Sequence, residues 1–357
     1  MPDIRLALEQ VWLKKGLISR VLWPVSLIYG LLFGLRKMLY RGGVFRSQQL
    51  PVPVVVVGNV YVGGVGKTPL VIALVQQLTA SGLKVGVLSR GYGRSGEGSQ
   101  LVTPQSLATD VGDEPLLIAR ACQVPVFVGK NRFQSGLELL AQNPQTQVIV
   151  CDDGLQHLGL AHDLAVCVFD ERRLGNGWLL PAGPLREAWP LHTPGHSQVI
   201  TVLTSNHPRH EPQTNQKQER PRALKQLSVD FVVPRVLDKF AQQADGTTQA
   251  LSSFRRQKVQ ALAGIGRPQA FFDMLTDQGI SLLFTQALAD HGDMHAVRID
   301  PVLGAVLCTE KDAVKLWSYL PTAWAVPLVT EIPEELFNTI LAHISPKLSS
   351  GYGHQTT

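Results

Sequence analysis

The sequence predicts an α/β fold: a mostly parallel sheet flanked by helices, then a smaller α/β domain joined to it by a β-ribbon. Three observations lead there. Short apolar runs at 54–57, 84–89, 124–128, 148–151 and 164–169 alternate with stretches of helical spacing, the pattern of parallel strands covered on both faces. The first of these, Val54–Val57, leads into a glycine-rich turn that ends in Lys67-Thr68 and a helix-like PLVIALVQQL. From Lys258 a fresh strand, helix and strand pattern begins with no such turn of its own.

Taken in order, residues 1–42 form a basic, apolar N-terminal segment. Its centre, Val21–Leu35, holds fifteen uncharged residues between Arg20 and Arg36-Lys37, whereas a spanning helix wants about 20. Pro24 and Gly30 weaken it further. The segment therefore reads as a helix lying in a membrane interface, with Trp23 and Tyr29 at headgroup depth and its basic flanks on anionic lipid; the bland alternative packs it on the protein's own core. Removing residues 1–40 is expected to spare the body. Residues 43–195 form the first domain, and the polar or glycine-bearing ends of its strands, Gly58, Ser89-Arg90-Gly91, Asp152-Asp153 and Asp170, mark a ligand-binding edge.

The second domain is placed at 196–345. It opens on the strand-like Gln198–Leu203, passes through a polar insertion at about 205–222 with three prolines, and resumes with strand character at Val229–Leu237. Further strands and helices follow over 259–286 and 302–317. Residues 346–357 read as a flexible tail.

A chain of 357 residues that is 45% hydrophobic and 17% charged has room for two packed domains. Cys122, Cys151, Cys167 and Cys308 show no metal-binding spacing, and two lie in apolar runs, so they read as reduced core residues. The net charge of +5 is local: the first 50 residues carry eight Lys and Arg against Asp3 and Glu9, and everything after them nets −1. The catalytic body therefore offers no basic face, and nucleic acid is excluded as a partner.

The chemistry centres on the turn. In Tyr61, Val62, Gly63, Gly64, Val65, Gly66, Lys67 and Thr68, glycines let backbone N–H groups approach phosphate oxygens, the lysine reaches the β/γ-phosphates, and the threonine hydroxyl can ligate Mg²⁺. The cofactors expected are ATP and Mg²⁺. Tyr61 stands where the usual motif has its first glycine, which makes this a variant loop. After the run at 148–151, Asp152 is the better metal candidate and Asp153 the better contact to water or substrate. Asp113, ahead of the helix-like LLIARACQ, caps that helix or serves as a base; chemistry alone favours the cap. Asp290-His291 is an aspartate-histidine pair on a loop of the second domain. Arg90 and Arg186 sit in glycine- and proline-rich loops, where each can grip a phosphate or pair with a nearby acid.

GNVYVGGVGKTP, SRGYG, GDEP, DDGLQH, LLPAGPLRE, AGIGRPQAFF, ADH and TEKDAVK occur in this order, and together they resemble the tetraacyldisaccharide 4′-kinase family of Gram-negative bacteria over about residues 10–340. The resemblance implies a kinase of two α/β domains joined by a β-ribbon. Its substrate would be a tetraacyl glucosamine disaccharide 1-phosphate, phosphorylated on the 4′-hydroxyl to give lipid IVA. The enzyme would be a monomer on the cytoplasmic face of the inner membrane. The resemblance puts the phosphate loop on Gly63 to Thr68, the catalytic aspartate on Asp113, its histidine partner on His291, and acids of the Mg²⁺ site on Asp152, Asp153 and Glu187. The rival reading is a membrane-docked P-loop switch or partition ATPase. That class expects a lysine where Tyr61 stands and has no use for Asp113 with His291.

Overall fold

The computed structural model describes residues 11–191, 198–205, 227–265, 268–288, 298 and 300–351. Asp290-His291, most of the polar insertion and the last six residues lie outside them. The first part runs α1 (Leu17–Arg41), β1 (Val54–Gly58), α2 (Lys67–Ala80), β2 (Val85–Ser89), β3 (Gln100–Val102), α3 (Ala108–Val111), α4 (Asp113–Cys122), β4 (Val126–Val128), α5 (Arg132–Gln142), β5 (Val148–Asp152) and β6 (Leu164–Phe169). There follow β7 (Gln198–Ser205), β8 (Phe231–Leu237), β9 (Phe240–Gln242), β10 (Thr248–Ala250), β11 (Val259–Ala263), α6 (Pro268–Asp277), β12 (Leu282–Ala287), β13 (Ala305–Thr309), α7 (Glu310–Leu316), β14 (Trp324–Val326), β15 (Leu328–Thr330) and α8 (Glu334–Gly351).

Among the described residues the larger sheet has nine strands in the order β15-β8-β7-β6-β1-β5-β2-β4-β3. Val54–Val57 carry no polar side chain and are buried, which is tolerable only in the middle of a sheet covered on both faces. Accordingly β1 pairs in parallel with β5 on one side and β6 on the other. Strand order reverses there, so the turn after Gly58 opens at the topological switch point, where α/β sheets bind ligands.

The division between domains differs from the one expected at 195/196. Gln198–Leu203 pairs residue for residue with Leu164–Phe169 and so extends the first sheet. β8 follows in parallel, and β15 returns antiparallel to it, with Leu328 opposite Leu237 and Thr330 opposite Arg235. The smaller six-stranded sheet, β10-β9-β14-β13-β11-β12, lies wholly between these two strands. Leu336, Phe337, Ile340 and Ile344 of α8 are buried in the first core. Lys347 of the same helix pairs with Asp163 at 3.0 Å, and Asp163 accepts the Val54 N–H at 2.8 Å. The helix runs on to Gly351, through residues expected to be a flexible tail.

α1 also departs from expectation. It has 25 residues and runs through Pro24 and Gly30, so its length and composition suffice to cross a bilayer. Its sidedness is inverted relative to a helix packed in water. Ser19 and Ser26 are buried, while Leu17 is 79% exposed, Val21 70% and Leu31 72%. Ser26 Oγ donates to the Leu179 carbonyl and accepts from the Ala182 N–H, both at 2.9 Å. Tyr29 OH donates to the Arg186 carbonyl at 2.6 Å. Gly30 allows the helix to seat close to Leu179, whose Cδ1 would lie 2.9 Å from an added Cβ. Because this face holds the loop at 179–187, removing residues 1–40 would disturb the body after all.

Candidate active site

The loop between β1 and α2 turns back on itself through Gly63 and Gly66, whose φ angles of 106° and 82° suit glycine. A Cβ on Gly66 would also collide with Arg235 Nη1. α2 begins at Lys67, so the unpaired N–H groups of its first turn and the positive end of its dipole face the space in front of the loop. Lys67 Nζ donates to Asn59 Oδ1 at 3.1 Å and lies 3.6 Å from Asp153 Oδ1. The loop is held from behind by the far strands. The Val65 carbonyl accepts from Thr204 Oγ1 at 2.9 Å and from Arg235 Nη1 at 3.4 Å, and the Gly64 carbonyl accepts from Arg172 Nη2 at 3.0 Å.

Tyr61 belongs to that support. Its ring is 1% exposed, with the Arg172 guanidinium 4.4 Å from its centroid and Asp170 paired to the same arginine at 2.7 Å. It does not line the cleft, so the expected nucleotide contact gives way to a platform beneath the loop.

At the end of β5, Asp152 and Asp153 split their roles. Arg132 Nη2 donates to both of their carbonyls, at 2.7 and 2.9 Å, and fixes the turn. Asp152 is 1% exposed, and its Oδ1 is buried without a hydrogen-bond partner. Burial, then the nearby Glu114, push its carboxyl up to about 7 against the pull of Lys67. Such an orphaned oxygen, in a cleft that Thr68 also lines, fits a hard divalent cation shared with nucleotide phosphates. Asp153 pairs with Arg186 at 3.1 Å; burial would raise its carboxyl, but Lys67 and Arg186 outweigh it and hold it low.

Replacing Asp152 by asparagine removes a charge the ligand-free fold accommodates poorly. The native carboxyl sits above its unfolded value, so its favourable contribution is complete below about pH 4 and is lost as pH rises through about 7. D152N is therefore expected to melt above the parent protein by a margin that grows from pH 5 to pH 8, while activity is lost. Thermal scans at the two pH values, without nucleotide, check this.

Glu187 is 2% exposed, one oxygen meets Lys37 of α1 and the other accepts from Gln156 Nε2 at 2.9 Å. It does not line the cleft. Without ligand both carboxylate oxygens are engaged, and Glu187 ties α1 to the site.

The N-cap position of α4 falls on Gly112, which puts Asp113 inside the first turn. Its Oδ2 lies 2.8 Å from Lys315 Nζ of α7, and Glu114 Oε1 lies 3.1 Å from Lys311 Nζ. Of the expected Asp113–His291 pair, only the aspartate is among the described residues.

The phosphate loop, Asp152, Asp153, Glu114 and Lys311 border one cleft of about 1090 Å³; Asp113 stands one residue behind Glu114 and is not among the residues that line it. Ile265, Phe271 and Met274 of the second domain add an apolar wall, and Tyr29, Phe33 and Arg36 of α1 line the cleft as well. Arg90, Arg132 and His157 also face it. Burial, then Arg132, Arg36 and Arg90, bring His157 down to about 4, so it is neutral at pH 7 among those cations. Arg90 and Arg186 both line the cleft, and Arg186 also pairs with Asp153. Sequence reasoning missed Lys37, Arg172, Arg235, Lys311 and Lys315. Asn59 alone carried a local signal, being a polar residue at the end of a buried strand.

A phosphate loop facing a second α/β domain across a deep cleft, with carboxylates on the loop side, defines a P-loop phosphotransferase. The chain belongs to the tetraacyldisaccharide-1-P 4′-kinase family, whose sequence profile matches residues 18–345. It is 46% identical over 346 residues to the tetraacyldisaccharide 4′-kinase of Acidovorax sp. (strain JS42), covering 97% of this chain and 96% of the relative. With that of Polaromonas naphthalenivorans (strain CJ2) it shares 47% over 361 residues, covering 98% and 99%. The crystal structure titled "apo" form LpxK from Aquifex aeolicus in complex with ATP superposes with a TM-score of 0.73 at 28% identity, covering 92% of this chain and 100% of that one. Membership in a kinase family sets aside the switch or partition ATPase.

Proposed function

We propose that this kinase transfers the γ-phosphoryl group of ATP to the 4′-hydroxyl of a tetraacyl glucosamine disaccharide 1-phosphate, giving lipid IVA, as a monomer on the cytoplasmic face of the inner membrane. The observation that carries the reading is the continuity of one cleft, lined both by the phosphate loop and by the helix that turns its leucines outward. Donor phosphates belong at the loop, an acylated sugar beside α1. Arg36, Arg90 and Arg132 with a neutral His157 make a cationic wall suited to an anionic acceptor.

In this mechanism Lys67 and the loop N–H groups neutralise charge on the phosphates. Thr68 and Asp152 would hold Mg²⁺, which would add charge neutralisation there. Asp113, in partnership with His291, accepts the proton of the attacking hydroxyl. Closure of the two domains excludes water and so limits ATP hydrolysis. The test is incubation with γ-labelled ATP, Mg²⁺ and detergent-dispersed tetraacyl disaccharide 1-phosphate. A lipid heavier by one labelled phosphate supports the reading, and release of free phosphate alone overturns it.

The outward face of α1 is proposed to seat in the membrane. Val21→Asp combined with Ile28→Asp, both at positions more than half exposed, is expected to release the protein from vesicles of anionic lipid. The packed face, with Ser26, Tyr29 and Lys37, is left intact. Flotation assays check this, and full retention on vesicles would refute the placement.

A further inference from the structure

We propose that Lys315 is the positioning residue for Asp113, so that the second domain sets the orientation of the base; this rests on the reading of Asp113 given above. Lys311 and Lys315 are four residues apart on α7 and therefore share one face. That face meets the first turn of α4, where Lys315 takes Asp113 and Lys311 takes Glu114. The platform behind them is fixed. Thr309 caps α7 by accepting the Asp312 N–H, its hydroxyl donates to Asp312 Oδ2 at 2.6 Å, and the same oxygen accepts the Gly264 N–H at 2.9 Å at the end of β11. Asp312 is itself 3% exposed. Lys315 thus extends from a helix pinned to the second sheet towards a carboxylate on the first domain whose side chain is 6% exposed.

Two consequences follow from that geometry. A carboxylate in the first turn of a helix has its own helix's free N–H groups as alternative partners. An ammonium at 2.8 Å instead draws Oδ2 towards the second domain. The same ammonium favours the ionised form, which is the form able to take a proton. Since Lys315 and Asp113 belong to different domains, alignment of the domains and readiness of the base become a single event, with the Lys311–Glu114 pair as its second point of attachment.

Besides Lys315, Asp312 on α7 acts electrostatically on Asp113, and the adjoining Glu114, paired with Lys311, acts on Asp152 across the cleft. The full-length enzyme is assayed as K315M, K315Q, K315R, K311M and D113N with Mg-ATP and the dispersed lipid, from pH 5 to pH 9. K315M and K315Q are expected to lower kcat by about 10- to 100-fold with the KM for ATP within about twofold. Losing the neighbouring cation raises the carboxyl, so the acid limb of the kcat profile should move to higher pH. K315R should recover most of the rate and the parent limb, and K311M should leave the limb in place. Parent-like kcat and limb in K315M and K315Q overturn the inference while leaving Asp113 as base, provided D113N is inactive. A limb shift in K311M equal to that in K315M overturns it too, because the effect would then come from domain docking. Near-normal turnover in D113N instead removes the reading on which it rests. K315Q keeps the test valid if K315M melts early.

Discussion

Lys67→Ala is expected to lower kcat/KM for ATP by about 10³-fold, most of it in kcat. The side chain is 10% exposed and stands between Asn59 at 3.1 Å and Asp153 at 3.6 Å. A single cation near the phosphates is worth far more in such a site than in water, because little solvent is present to screen it. Truncation leaves Asp153 with Arg186 alone, adding a negative charge where the triphosphate must sit. The loop itself should keep its shape, since its carbonyls are held by Arg172, Thr204 and Arg235 and not by Lys67. Steady-state kinetics with labelled ATP, beside a melting curve to show that the variant is folded, decide the matter. A loss of less than tenfold would mean that the charge at the γ-phosphate is supplied from elsewhere.

Asp113→Ala and Asp113→Asn are expected to be equally poor, each with kcat down by about 10²- to 10⁴-fold and little change in KM. The asparagine keeps size and polarity and loses only the capacity to take a proton. If shape were what mattered at this position, N and A would separate widely. Both variants leave Lys315 facing a neutral partner in a mostly enclosed site, so some loss of stability should accompany the loss of rate. Retention of near-normal turnover by either one would remove Asp113 from the chemistry.

The parts of this molecule written locally were legible in its sequence. Val54–Val57 and Leu164–Phe169 announce buried parallel strands because nothing polar interrupts them, and Lys67-Thr68 after the glycines announces a phosphate site whatever surrounds it. The rest depends on partners far along the chain. Whether Gln198–Leu203 joins the first or the second sheet is decided by its pairing with β6, which its own composition cannot express. Glu187 is assigned to the Mg²⁺ site by resemblance alone; its partner Lys37, 150 residues earlier, is invisible in the local sequence. Chemistry alone makes Asp113 a helix cap and the resemblance makes it a base; the structure puts Gly112 at the cap position and Lys315 2.8 Å from the carboxylate, neither of which the local sequence expresses. α1 reads as short because only fifteen uncharged residues separate its basic flanks and Pro24 and Gly30 weaken it further, whereas the helix runs through both flanks and is stabilised by contacts with Leu179 and Ala182. Family resemblance supplied the acceptor, which no residue pattern alone could have named.

The pairing of Leu237 with Leu328 has a topological meaning. β8 and β15 are the two arms of a hairpin, and everything from Asp238 to Pro327, a complete six-stranded sheet with its helices, occupies the place of the hairpin's turn. The nucleotide-binding body is thus discontinuous in the chain. During synthesis its edge strand β15 and the helix α8 that covers β6 emerge only after the inserted unit has been made. An N-terminal piece ending near residue 195 would leave β6 as a bare edge, an invitation to pair with other chains. The guest must be threaded out before the host can close.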